Sequence, residues 1–150
     1  MSQRKNQYQA ERWLLTAEED LGVAELLSRE SMYAPSCFWC QQSGEKALKA
    51  LWYLVDAKPW GPSIQRLVQE FPNRAEVVGL ESWIEQAALL DKFYIPTRYP
   101  NGLSDLTPGQ VYRQADAKRG IEAARLLLAG CKEWLAQYLS DDYDADSQAG

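Results

Sequence analysis

The chain has 150 residues, 46% of them hydrophobic and 25% charged, enough for one domain with a real core. No apolar run approaches the roughly 18 to 20 residues of a membrane span, and the basic pair Arg4-Lys5 is followed by no hydrophobic stretch, so a cytoplasmic protein with no secretory signal and no membrane contact is expected. The net charge of −5 argues against broad, non-specific binding to nucleic acid, which needs clustered Lys and Arg.

Apolar spacing predicts helices nearly throughout. The first spans residues 8–29, with Leu14, Ala17, Leu21 and Ala24 on one stripe. The second, residues 36–56, places Cys37, Cys40, Gly44, Ala47, Leu51 and Leu54 at alternating steps of three and four. Glycine in a helix interior costs about 1 kcal/mol, so Gly44 is expected where two helices approach closely. Prolines 59 and 62 with Gly61 break the pattern, and a short helix over 63–70 follows. Asn73 reads as the N-cap of a helix running to residue 90 through Val77, Leu80, Ile84 and Ala87.

The segment 92–106, with Pro96, Pro100 and Gly102, is irregular. Thr107-Pro108 reads as N-cap and first position of the last helix, whose stripe is Ala117, Ile121, Ala124, Leu128, Cys131, Leu135 and Tyr138 and which should end near Leu139. Residues 141–150 carry four aspartates and are expected to be a disordered acidic tail behind a bundle at 1–140. The predicted fold is therefore all-α: an up-and-down bundle of four long helices and a short one. Six tryptophans and eight tyrosines exceed what one small core needs, so some are expected at an interface or cleft, as in a homodimer.

Three cysteines, an odd number, point to thiols rather than a disulfide framework. Cys37 and Cys40 form a CxxC at a helix start, but their spacing also puts both on one buried face, and core packing is the preferred reading. There is no histidine, which weighs against zinc, and no metal or other cofactor is expected. The phosphate-loop, dinucleotide and nucleophile-elbow motifs are absent.

Two segments carry more than bundle physics. Residues 38–51 read FWCQQSGEKALKAL, and residues 90–100 read LDKFYIPTRYP. In this order and separation they resemble the HEPN domain family, over about residues 10–139. The resemblance implies a helical bundle that dimerises and often sits beside a minimal nucleotidyltransferase in toxin–antitoxin-like pairs. Many members are metal-independent ribonucleases using an Arg with a His a few residues later, from both subunits of a dimer. RNA scission through a 2′-hydroxyl needs a general acid and base near neutral pH, and this sequence has no histidine to supply them. Relatives with these two motifs commonly carry a His-Ser pair at the short helix, where this chain has Pro62-Ser63.

The resemblance thus implies a non-catalytic HEPN module with a nucleotidyltransferase partner and a nucleotide or RNA contact. A HEPN-like ribonuclease toxin working through residues such as Lys46, Arg98 and Tyr99 is one alternative, and a purely structural dimer is another. Arg98, with Tyr94, Thr97 and Tyr99 around it, can fork onto a phosphate while a ring stacks on a base. It can equally pair with Asp91 or Glu45 and pin the loop. Gln42, Glu45 and Lys49 share one helical face, which Phe38 and Trp52 extend, and Lys46 lies beside it. Polar residues within an aromatic stripe point to a cleft or a dimer surface.

Overall fold

The first helix starts earlier than its apolar stripe, because Ser2 caps it: the hydroxyl accepts from the Lys5 N–H at 3.3 Å. In the computed structural model, which describes the backbone of residues 2–149 and the side chains of 2–142 and 145, α1 covers Gln3–Arg29. It buries Ala10, Leu14, Ala17, Leu21 and Ala24, the stripe read from sequence and one turn more. Ser31, at φ 60°, ends it: Met32 N–H reaches Leu27 O at 2.8 Å and Ser31 N–H reaches Ser28 O at 3.0 Å. That tight turn launches α2, Tyr33–Leu54. Ser36 Oγ donates to Ala24 O and Ser43 Oγ to Ala17 O, both at 2.7 Å. These contacts step backward along α1 as they advance along α2, so the pair is antiparallel.

Helix α2 is the axis of the molecule. It packs against α1 and against α3 (Ile64–Gln69), α4 (Leu80–Asp91) and α6 (Gln114–Ala149), and buries residues around nearly its whole circumference. A Cβ at Gly44 would lie 2.8 Å from Leu90 Cδ1 and 3.1 Å from Ile64 Cδ1. The glycine therefore sits where α3 and α4 press onto α2, as its place in the stripe predicts. Around it Leu48, Leu51, Leu54, Ile64, Leu67, Leu90 and Leu127 form the centre of the core.

Besides the early starts of α1 at Gln3 and α2 at Tyr33, three larger departures separate the helices from the sequence reading. The helix expected over 73–90 is a 3-10 turn, Arg74–Glu76, then an extended Val77, then α4 beginning after Gly79 at φ 77°. The break lets Val77 turn into the core while Val78 faces out. The last helix is likewise split. A one-turn α5, Pro108–Val111, is closed by a Thr107–Gln110 capping box. Tyr112 is then extended, with its ring edge-on to Phe93 at 5.8 Å, and α6 begins at Gln114 with Asp116 accepting from Arg113 N–H at 2.8 Å. Finally, α6 does not stop near Leu139. It continues through the acidic segment to Ala149, with Gln137 Nε2 bonded to Asp141 Oδ1 at 2.8 Å, an i,i+4 link of the kind that extends helices. Gly150 lies outside the described residues. No strand occurs among the described residues, and no helix there is long and apolar enough to cross a membrane.

All three cysteines lie in the core as free thiols. Burial, with a smaller contribution from Asp116, pushes the Cys37 thiol up from its ordinary value near 9 to about 12, and burial raises Cys40 and Cys131 as well. Neutral thiols are poor nucleophiles and poor metal ligands. A thiol reagent at pH 8 is accordingly expected to label none of the three in the native protein and all three in denaturant. The native state holds the Cys37 proton more tightly than the unfolded chain. Its contribution to stability is therefore complete below pH 9 and is lost as pH rises toward 12, measurable as a falling denaturation midpoint.

Candidate functional site

Thr97 and Asp91 build the loop that carries Arg98. Thr97 is buried, and its hydroxyl donates to Phe93 O, closing a turn over the buried Phe93 ring. Asp91, the last residue of α4, reaches α3: Oδ1 accepts from Ile64 N–H at 2.7 Å, and Oδ2 from Gln65 N–H at 3.0 Å and Ser63 Oγ at 2.9 Å. A carboxylate at a helix N-terminus satisfies otherwise orphaned donors and meets the positive end of the helix dipole. Both groups read from sequence as ligand candidates are thus engaged in holding the scaffold.

Arg98 itself is exposed and pairs with neither Asp91 nor Glu45, nor with any other carboxylate among the described residues. Its guanidinium lies 4.5 Å from the ring centroid of Phe38, 4.7 Å from Tyr94 and 5.3 Å from Tyr99. Nε donates to Tyr94 O at 3.0 Å, which fixes the plane of the fork. The terminal nitrogens have no acceptor among the described residues. Cation–π contacts at exposed positions contribute about 0.5–1 kcal/mol each, so three rings hold the side chain without neutralising it. Arg98 also lines a groove of about 410 Å³ between the start of α2 and α5, with Met32, Tyr33, Pro35, Pro108 and Tyr112.

The α2 face follows from Phe38. One turn on, Gln42 Nε2 bonds Gln41 Oε1 at 2.7 Å and Glu45 Oε2 at 3.4 Å, and Glu45 Oε1 accepts from Lys49 Nζ at 2.9 Å. Gln41 is fully buried and donates to Pro62 O at 3.2 Å, tying the proline-rich turn to α2. Lys46 pairs with Asp20 of α1 and lies 5.8 Å from the Trp39 ring centroid. Trp52 leaves this face: it is buried, and its indole N–H donates to Leu67 O at 2.9 Å. Arg98, Tyr94 and Tyr99 therefore meet the amino-terminal end of the polar stripe at Phe38, whereas Lys46, Glu45 and Lys49 are held in ion pairs. Phe38 and Asp20 are the members that sequence reasoning did not assign to the site. Phe38 was signalled by its position one turn before Gln42. Asp20 had no such signal, because its partner is 26 residues away.

Comparison with known proteins agrees with this architecture. A family model described as the HEPN domain matches residues 10–134. Among solved structures, TT1696 from Thermus thermophilus is similar, with 34% identity and a TM-score of 0.79 over 83% of this chain and 97% of that one. ST0689, an archaeal HEPN homologue, gives 31% identity and a TM-score of 0.72 over 85% and 98%. A HEPN domain protein from Thermotoga maritima gives 26% and 0.66 over 83% and 98%. No curated protein matches the chain. With the family model spanning most of its length and two solved relatives above 30% identity, this chain belongs to the HEPN domain family.

Proposed function

We propose that this chain is a non-catalytic HEPN module that dimerises, binds the phosphate of a nucleotide or of single-stranded RNA at Arg98, and partners a nucleotidyltransferase in a toxin–antitoxin-like pair. The observation that carries the binding is the Arg98 fork, caged by three rings, unneutralised among the described residues and open to a groove. A planar guanidinium matches two phosphate oxygens at once, and the exposed Tyr99 ring beside it offers a face for a base. The partner and the dimer follow from the family resemblance. The absence of histidine supports a non-catalytic role, since histidine is the usual source of acid and base near neutral pH. Lys46, a group an unorthodox ribonuclease would draw on, is paired with Asp20.

Calorimetry with ATP and with a short single-stranded RNA, on wild type and Arg98→Ala, tests the reading. Saturable binding is expected, weakened about ten- to hundredfold in the variant, as for loss of a charge-assisted contact, with the melting temperature unchanged. No binding to either ligand would leave a protein-interaction or purely structural dimer. RNA cleavage that disappears in Arg98→Ala would instead establish the enzyme. The partner is tested separately, by whether a nucleotidyltransferase co-purifies from the source cell.

A further inference from the structure

A second groove, of about 460 Å³, lies between the Arg74–Glu76 turn, α4 and α6, and shares no residue with the Arg98 site. Its floor is Trp83 and Trp134, its lip is Val78, and its rim carries Glu76 and Glu133. Val78 is 94% exposed, an unusual position for a valine on a structured turn, and the left-handed Gly79 beside it holds it there. Gly130 on α6 lets the Trp83 ring lie flush: a Cβ there would sit 2.7 Å from Trp83 Cζ2 and 3.1 Å from its Nε1.

Trp83 is only 6% exposed, and its indole N–H has no protein acceptor among the described residues but is not sealed from solvent, Gln3 Nε2 being the one buried side-chain nitrogen or oxygen there without a partner. The Trp52 indole, by contrast, is satisfied inside the protein, on Leu67 O at 2.9 Å. The Nε1 edge of the ring lies on the Gly130 side, and both residues line the groove, so a donor left to solvent sits at the groove wall. No basic side chain among the described residues lines the groove, and the neighbouring Arg74 is turned onto Phe71 O at 3.2 Å. The Tyr138 hydroxyl is raised first by burial and then by Asp142 and Glu76, which puts further negative charge on the same side.

We infer that this groove docks a basic peptide segment of a partner protein. A backbone carbonyl of the segment accepts from Trp83 Nε1, an apolar side chain covers Val78 and Trp134, and a lysine or arginine faces Glu76 and Glu133. The three demands together describe a peptide: a nucleotide brings the wrong charge, and an apolar molecule leaves the indole N–H and both negative charges unanswered, Glu76 meeting only the neutral Asn73 amide at 3.4 Å.

The test follows the indole N–H signals by proton–nitrogen NMR, with that of Trp83 identified by its loss in Trp83→Phe. The probe is a blocked hexapeptide alternating leucine and lysine, and the control has glutamate for lysine. A saturable shift of the Trp83 signal with the lysine peptide, and none with the glutamate peptide, is expected. In Glu76→Gln/Glu133→Gln the dissociation constant should rise about two- to fivefold per carboxylate, as for exposed ion pairs, while the other five indole signals stay in place to show an intact fold. Equal response to both peptides, no response at millimolar peptide, or a shift caused by single-stranded RNA would overturn the proposal. Movement of the Trp83 signal with protein concentration alone would assign the groove to a second copy of this chain and overturn it as well.

Discussion

Asp91→Ala is expected to lower the melting temperature by about 5–10 °C, from a loss of about 2–3 kcal/mol. Helix α3 has six residues, too few to hold itself together, and its amino-terminal donors converge on one carboxylate at 2.7 to 3.0 Å. Removing that acceptor leaves the N–H of Ile64, a fully buried residue, without a partner, and cuts the polar link between α3 and α4. Asp91→Asn keeps one carbonyl acceptor and loses the charge, so about half the effect should remain. Thermal melts of the three proteins decide the role. An unchanged melting temperature combined with weaker ATP binding would return Asp91 to the ligand site.

Lys46→Met is expected to cost about 2–3 kcal/mol, because it strips the counter-ion from a carboxylate that α1 buries. The Asp20 side chain is 10% exposed and that of Lys46 21%, so water replaces little of the lost interaction. Methionine keeps the aliphatic stem against Trp39, which isolates the charge from the packing. The double variant Asp20→Leu/Lys46→Met should recover most of the loss, since an apolar pair of similar volume is often as stable as a buried ion pair. Denaturant melts of the four proteins close the cycle. If Lys46→Met leaves stability unchanged and abolishes RNA binding, the lysine belongs to the ligand.

These two outcomes bear on how far the candidate site reaches. Arg98, Tyr94 and Tyr99 cluster with Phe38 at the mouth of a groove, and their substitution should touch binding more than stability. Asp91, Thr97, Lys46, Glu45 and Lys49 are held in bonds within the protein. In sequence the two groups look alike: polar residues near aromatics on helix ends and loops. What separates them is whether a partner lies within reach. The bonds that tie Asp91 to Ser63, Lys46 to Asp20 and Gln41 to Pro62 join residues 28, 26 and 21 positions apart.

Helical periodicity and short strings of residues were enough to read the class of fold, most of the buried stripes, the close approach at Gly44 and the family. Each of these depends on local order along the chain, which a linear reading contains in full. Helix boundaries were where that reading erred. Residues 73–90 and 107–139 have continuous helical spacing, but Val77 and Tyr112 gain more by leaving the helix to reach the core and Phe93 than by continuing the hydrogen-bond ladder. Nothing local records that preference. Packing of the helices was needed to cage Arg98 in rings with no counter-ion among the described residues, to place Asp91 over the start of α3, and to set Trp83 in the wall of an acid-rimmed groove. Each is a contact between residues distant in the chain, and its energy exists only once the helices have come together.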